Sequence, residues 1–344
     1  MARGCSAAVL RCNMHSVLHS RLAKPRLLRA ALAAPLLAAL AGCKMVVMDP
    51  AGDVAMQQRN LVLLATGLML LIIVPVIALT LIFAWKYRAS NTEAVYAPEW
   101  SHSTRLEVAI WGAPMAIILV LGTVTWITCH TLDPYRPLSR ISPNRPVPAG
   151  VKPLEVDVVA LDWKWLFIYP ELGVASVNEL ALPVDRPVAF KITASSVMNS
   201  FYAPTLAGQV YAMPGMQTQL HAVLNRTGDG EGFSANYSGA GFSGMRFKLK
   251  GLSPADFDRW AAGMRAGGGQ LTRADYLALT QPSQNEPVRR FASVDPTLFL
   301  DIVNQCAAPG QVCKDRMPRQ VAAGAQSLAA AGKALCTDKT RPAV

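Results

Sequence analysis

Hydrophobic residues in the first part of this 344-residue chain form two long unbroken runs. Residues 61–85 and 108–130 contain no Asp, Glu, Lys or Arg. At 1.5 Å per residue each run is ~35 Å long as a helix, which exceeds the ~30 Å hydrocarbon core of a bilayer. We therefore predict two transmembrane helices over these ranges, which form a membrane α-helical hairpin over 61–132.

From residue 154 onward the hydrophobic positions fall into short runs separated by turn residues. Six runs have strand character, and they cover 154–160, 165–169, 187–194, 209–212, 217–224 and 245–250. Several short strands at regular spacing predict an all-β sandwich over 154–252. A proline-rich stretch over 133–153 is expected to be a stiff linker between the hairpin and the sandwich.

Beyond the sandwich the pattern becomes helical. Ser253 and Pro254 form a helix start, and Phe257 and Trp260 then recur on one helical face. The prediction is a helical C-terminal segment over 253–304 with short helices. The Ala-, Gly- and Gln-rich remainder, 305–344, is expected to be a poorly ordered Cys-containing tail.

The net charge of +11 comes largely from the N-terminus. Residues 1–42 hold six of the 33 basic residues and no acidic one, and they end in an uncharged run before Cys43. This order is typical of an export signal. The rest of the chain has 27 basic against 22 acidic residues, so no basic block remains for nucleic acid, and no nucleic-acid partner is expected.

The four residues from Leu40 to Cys43 resemble the bacterial lipobox. In proteins with that signal the cysteine thiol takes a diacylglycerol, the peptide is cut before the cysteine, and the new amino group is acylated. We predict a lipoprotein signal peptide over 1–42, lipidation of Cys43 and a lipid-anchored segment over 43–60. Met14 is an alternative start, and an uncleaved anchor with an incidental Cys43 is the alternative to processing.

Export of Cys43 sets the orientation of the hairpin. The first span then crosses the bacterial inner membrane towards the cytoplasm and the second crosses back. The β-domain therefore lies in the periplasm. Glu107 falls at the cytoplasmic mouth of the second span. One role for a carboxylate at this position is proton uptake. The role we favour is structural, in which Glu107 marks the helix start and complements the helix dipole.

Three cysteines follow the spans in what is then an oxidising compartment. Cys306 and Cys313 are separated by a short loop that a disulfide can close. With Cys336 there are three such cysteines, so one stays unpaired and the pairing is left open. The chain has no Cys-x-x-Cys-His, so covalent haem is not indicated.

Two segments of the sandwich resemble the copper-ligand segments of subunit II of the haem-copper terminal oxidases. Residues 197–201 match the segment whose third residue is His in that family, and residues 234–245 match Cys-x-Glu-x-Cys-x3-His-x2-Met without a gap. In this chain the six ligand positions hold Asn199, Ser234, Asn236, Ser238, Phe242 and Met245.

The residues at these positions have the wrong chemistry for copper. A dinuclear copper centre needs thiolates and imidazoles, and a hydroxyl replaces neither. We predict a cupredoxin-like sandwich with no metal, cofactor or catalytic residue in this chain. A soft-metal cluster of Met213, Met216 and Met245 is less favoured than core packing.

A closer resemblance comes from residues 162–170, 211–218 and 237–245, which are similar to subunit II of cytochrome bo-type ubiquinol oxidases. That resemblance implies a complex that oxidises ubiquinol, reduces O2 to water and pumps protons, with haems and copper in partner subunit I. This chain would contact subunit I, other subunits and membrane lipid, and act in assembly and stability.

Trp163, Trp165 and His221 are then expected to be structural. Open alternatives are a menaquinol-using relative and a membrane-tethered cupredoxin-like lipoprotein acting as an assembly or binding factor.

Overall fold

The computed structural model describes residues 45–95 and 97–316. Cys43, the signal peptide and the tail from 317 onward lie outside the described residues. Residues 1–49 and 50–344 form separate units. Of the first unit the structure describes only a short stretch that contains a 3₁₀ turn, Val46–Met48.

Two long helices precede the sandwich. Helix α1 spans Asp53–Lys86 and helix α2 spans Thr104–Thr131, and each contains one proline. Apart from Ile117 of α2, no residue of their hydrophobic runs is buried within the described chain. Both helices are long and apolar enough to cross a membrane. Helix α1 begins eight residues before the hydrophobic run, so the segment predicted over 43–60 is partly helical.

The linker after α2 has more structure than its proline content predicts. It contains two short antiparallel strands, β1 (Arg140–Ser142) and β2 (Arg145–Pro146). Pro134 O accepts a hydrogen bond from the backbone N–H of His221 at 3.0 Å, and His221 Nδ1 lies 3.1 Å from the same oxygen. These contacts fasten the linker to the sandwich and support a structural role for His221.

The first sheet of the sandwich has seven strands in the order β10-β7-β3-β4-β5-β14-β13. Their bounds are β3 Leu154–Leu161, β4 Lys164–Tyr169, β5 Val174–Val177, β7 Pro187–Ala194, β10 Thr218–Val223, β13 Gly269–Leu271 and β14 Arg289–Val294. Pairing is antiparallel except between β3 and β7 and between β13 and β14. Strands β3 and β4 are almost wholly buried, because the sheet is covered on both faces.

The second sheet has five strands in the order β6-β12-β11-β8-β9. Their bounds are β6 Glu179–Pro183, β8 Asn199–Tyr202, β9 Val210–Ala212, β11 Gly228–Ser234 and β12 Arg246–Leu252. An aromatic cluster fills the space between the sheets, with Phe201 stacked on Phe247 at 5.3 Å between ring centroids. Gly232 makes this possible, because a Cβ there would lie 2.0 Å from the Phe247 ring.

The C-terminal segment 253–304 is not purely helical, and that prediction was incomplete. It forms helices α3 (Pro254–Gly267), α4 (Arg273–Leu279) and α5 (Leu298–Val303), but it also supplies β13 and β14. Strand β14 pairs with β5, which would otherwise be an edge strand. Residues of α4 and α5 cover the outer face of the first sheet as a second hydrophobic cluster.

Residues 305–316 differ from the poorly ordered tail that the sequence predicted. A disulfide joins Cys306 to Cys313, and Cys306 is only 4% exposed. Lys314 Nζ also donates to Gly215 O at 3.1 Å. These contacts hold the start of the tail against the loop between β9 and β10.

Candidate functional site

The fold places the two copper-like segments side by side. Strand β8, which carries Asn199, pairs with β11, which ends at Ser234. The backbone continues this contact, because Ala235 N donates to Ser200 O at 2.9 Å and Ser234 N donates to Met245 O at 3.1 Å. Asn199, Ser234 and Met245 therefore meet at one end of the second sheet.

Two of the polar side chains at these positions hydrogen-bond to each other, and nearby backbone carbonyls accept their remaining hydrogen bonds. Ser234 Oγ donates to Asn199 Oδ1 at 3.0 Å and shares its proton with Asn236 O at 3.2 Å. Asn199 Nδ2 donates to Val197 O at 3.2 Å. Asn199 and Ser234 are 1% and 2% exposed, so these hydrogen bonds offset their desolvation. We call Asn199, Ser234 and Asn236 the polar cluster.

Ser238 and Phe242 lie in a different environment. Trp163 Nε1 donates to Ser238 O at 3.0 Å, while the Ser238 hydroxyl is buried without a partner among the described residues. The half-buried Phe242 contacts exposed Tyr237 at 5.7 Å between ring centroids. Of the six positions, these two are not linked to the polar cluster by any side-chain contact in the described chain.

Trp163 covers the loop that carries the former ligand positions. It adopts a left-handed backbone conformation with φ of 64°. Its indole ring lies against Gly241, where a Cβ would come within 2.3 Å of the ring. Trp165, by contrast, is fully buried and meets Phe201 and Phe247 edge-on. Both tryptophans contribute packing, as expected from the sequence.

The donor set does not fit a copper pair. Hydroxyl and amide oxygens are hard ligands, and the two bridging positions would need soft thiolates. Met245 offers a thioether but is fully buried in the core cluster. Met216 is 53% exposed on the loop after β9, so it does not share that environment.

Two buried charged residues, which sequence reasoning missed, attach the C-terminal segment to the sandwich. Lys164 is 1% exposed, and its Nζ donates to Gln281 O at 2.8 Å and Ser283 Oγ at 2.7 Å. Burial lowers the pKa of Lys164. The sequence signal for this buried lysine is that Lys164 is the one charged residue of the otherwise hydrophobic strand β4.

Glu179 is the second anchor. Arg290 donates to both its carboxylate oxygens at 2.9 Å, Lys250 lies at 2.9 Å and Trp260 Nε1 donates at 3.1 Å. Burial by itself raises the pKa of Glu179, but the hydrogen bonds from these three partners outweigh it and hold the pKa at about 2. Glu179 thus joins β6 to β12, α3 and β14.

Two family models match the exported part of the chain. "Cytochrome C oxidase subunit II, periplasmic domain" covers residues 156–251, and "COX Aromatic Rich Motif" covers residues 265–310. The first model spans the sandwich and the polar cluster. The second spans most of the segment that Lys164 and Glu179 attach, and this motif was not predicted from the sequence.

Comparison with curated relatives is decisive. The chain is 51% identical over 77% of its length to cytochrome bo(3) ubiquinol oxidase subunit 2 of Pseudomonas putida, of which the alignment covers 82%. The chain belongs to the subunit II family of cytochrome bo-type ubiquinol oxidases. It is also 50% identical over 77% of its length to ubiquinol oxidase subunit 2 of Acetobacter aceti (83% of that protein) and 35% identical over 71% to quinol oxidase subunit 2 of Bacillus subtilis (74%).

Membership of the ubiquinol oxidase subunit II family confirms the predicted fold and the predicted partnership with subunit I and other oxidase subunits. The tethered-lipoprotein alternative is not supported. Two membrane-span-like helices and a periplasmic-type sandwich fit an inner-membrane protein. The lipid anchor, the domain boundaries and the roles of individual positions stay predictions.

Proposed function

We propose that this chain is the subunit II of a ubiquinol oxidase that carries no redox centre of its own. The observation that carries the proposal is the polar cluster, in which Ser234 and Asn199 hydrogen-bond to each other where the copper-bearing family has ligands. Electrons from a membrane quinol need no relay through an exported copper pair. The haems and copper of the complex then belong to subunit I.

The role of this chain is assembly and stability of the complex. Helices α1 and α2 present hydrophobic faces that nothing in the described chain covers, so they suit contact with subunit I and lipid. The sandwich then caps the outer face of subunit I. The complex oxidises ubiquinol, reduces O2 to water and translocates protons, and this chain supports those steps without touching the reacting groups.

Ubiquinol is favoured over menaquinol by the pattern of similarity. The relatives at 50% identity or above that we compared are named for ubiquinol, whereas the relative at 35% is named only for quinol. Turnover of the purified complex with ubiquinol and with menaquinol analogues tests the donor. Faster turnover with menaquinol would overturn the assignment.

Metal analysis of the purified complex tests the absence of a redox centre. We expect no more copper than subunit I accounts for and no mixed-valence copper signal in the electron paramagnetic resonance spectrum. The matched control restores ligands in the same complex with Asn199→His, Ser234→Cys, Ser238→Cys and Phe242→His, and it should gain copper. Additional copper with a mixed-valence signal in the unaltered complex would contradict the proposal.

We also propose that Cys43 carries lipid and anchors the chain to the outer leaflet. Support comes from the lipobox-like sequence that precedes it. Metabolic labelling with radioactive palmitate should label the wild-type chain and not Cys43→Ser. The matched control is Cys129→Ser, which removes the free cysteine of α2 and should leave the label unchanged.

A further inference from the structure

A cleft of about 290 Å³ opens where the membrane hairpin meets the sandwich. The start of α1, the linker after α2, the loop that leads into β9 and the middle of β10 line it. The charged residues in its wall are Asp53, Asp133, Arg136 and Arg140. None of these residues belongs to the polar cluster or to the anchors of the C-terminal segment.

The position of the cleft along α1 places it at the outer edge of the lipid headgroups. Gln57 and Asp53 precede the hydrophobic run at Leu61 by four and eight residues, or ~6 and ~12 Å along a helix. A bilayer is ~30 Å thick in its hydrocarbon core and ~40–45 Å with its headgroups, so each headgroup layer is only several Å deep. At these distances Gln57 lies within the headgroup layer and Asp53 lies several Å beyond its outer boundary, so the cleft opens at the membrane surface.

The wall of the cleft contains a buried carboxylate that is only half satisfied. Asp53 is 1% exposed, and Arg140 Nε and Gln57 Nε2 both donate to its Oδ2, at 2.9 and 2.7 Å. Its Oδ1 is buried and has no hydrogen-bond partner among the described residues. A buried anionic oxygen without a donor is unfavourable, so this position favours a ligand that supplies N–H groups.

The cationic side of the cleft is available to an anion. Arg136 is exposed, and the one side-chain hydrogen bond it makes within the described chain runs from Nη1 to His130 O at 3.3 Å. Arg140 is held by Asp53 through Nε, and its side chain is 40% exposed. Arginine binds phosphate through paired N–H groups, so these two residues suit a phosphodiester.

The two aspartates and two arginines of the cleft have a formal net charge of zero. This balance favours a phospholipid headgroup that carries both a negative and a positive charge. An anionic headgroup would meet the arginines but leave Asp53 Oδ1 unpaired. A zwitterionic headgroup with a primary ammonium pairs its phosphate with the arginines and its ammonium with the carboxylates. We propose that the cleft binds the headgroup of phosphatidylethanolamine, with the phosphate on Arg136 and Arg140 and the ammonium on the carboxylates of Asp53 and Asp133.

The size of the cleft agrees with this ligand. Small-molecule pockets usually enclose ~300–1,000 Å³, so a cleft at the lower limit takes a headgroup and not a whole lipid. The acyl chains would then lie along the uncovered faces of α1 and α2. The bound lipid joins the hairpin to the sandwich at the membrane surface.

Lipid selectivity of the unaltered complex is the first test. The purified oxidase is placed in nanodiscs of phosphatidylethanolamine, phosphatidylcholine or phosphatidylglycerol, and lipids retained after detergent extraction are counted by native mass spectrometry. We expect a phosphatidylethanolamine to be retained on this chain and to resist exchange with the other two. Soluble phosphoethanolamine and inorganic phosphate form separate arms, and displacement by inorganic phosphate alone would show an anion site and overturn the proposal.

Variants of the cleft are the second test. Arg136→Gln should weaken phosphatidylethanolamine retention roughly tenfold, because a charge-assisted hydrogen bond is lost. Asp53→Asn should remove the preference for phosphatidylethanolamine over phosphatidylcholine. Arg145→Gln is the matched control in the same linker, since Arg145 pairs with Asp185 outside the cleft. Equal retention of all three lipids by the wild-type complex, or unchanged retention in Arg136→Gln, would refute the proposal even if Asp53→Asn fails to assemble.

Discussion

Replacement of Glu179 by Gln tests how the C-terminal segment is attached to the sandwich. The carboxylate is 2% exposed and binds Arg290, Lys250 and Trp260 at 2.9–3.1 Å. Gln has nearly the same volume, so the substitution removes charge without opening a cavity. Arg290 and Lys250 would then lose their shared anionic partner.

The structure sets the expected magnitude. The pKa of Glu179 lies at about 2, against an ordinary value of 4.5. At ~1.4 kcal/mol per pKa unit, the partners stabilise the charged form by about 3 kcal/mol relative to the unfolded chain. Removal of one partner from a buried ion pair costs ~3–5 kcal/mol in other proteins, which agrees with this value.

Hydrogen exchange of the assembled complex measures the effect. If local opening releases β14 and α3, a loss of about 3 kcal/mol raises exchange over residues 254–267 and 289–294 by roughly 100-fold. The matched control is Glu231→Gln, whose ion pair with Arg246 is more than half exposed on both sides. An exposed pair contributes ~0–1 kcal/mol, so little change is expected there. Wild-type protection in Glu179→Gln, or an equal effect in Glu231→Gln, would refute the reasoning.

The pH dependence of the same contact has a definite sign. A carboxylate whose pKa is lower in the folded state adds stability above its unfolded value, and this stability is lost as pH falls through the folded value. Attachment of the segment in the wild-type chain should therefore weaken between pH 4.5 and about 2. The difference between wild type and Glu179→Gln should shrink over the same range.

Three further variants test the loop and the tail. Gly241→Ala should displace Trp163, because a Cβ would lie 2.3 Å from its ring, and a shift in tryptophan fluorescence with a lower thermal midpoint is expected. Ser234→Ala should destabilise the sandwich by about 1 kcal/mol through the lost hydrogen bond to Asn199, measured by denaturant unfolding, and leave oxidase turnover unchanged. Cys306→Ser with Cys313→Ser should weaken the tail contact by about 2 kcal/mol and increase proteolysis after residue 304, whereas Cys129→Ser should not.

Local sequence was sufficient for the features whose physics is local. A membrane helix needs only an uncharged run of sufficient length, so α1 and α2 were predictable from residues 61–85 and 108–130. The family and the residue types at its copper-ligand positions were also readable, because ligand chemistry depends on residue type at fixed spacing. The helix starts at Ser253 and Thr272 form N-caps with their neighbours three residues on, which is again a short-range interaction.

Tertiary structure decided the features that depend on distant partners. Strand β14 was missed because its half-exposed residues alternate weakly, and it becomes a strand by pairing with β5 more than 100 residues earlier. Glu179 and Lys164 are charged residues in hydrophobic runs, and only the fold supplies the partners that make their burial tolerable. The cleft at Asp53 likewise exists only because α1, the linker and the sandwich meet there. Sequence therefore determined the spans, the family and the residue types at the six ligand-like positions, whereas long-range packing decided the attached C-terminal segment and the cleft at Asp53.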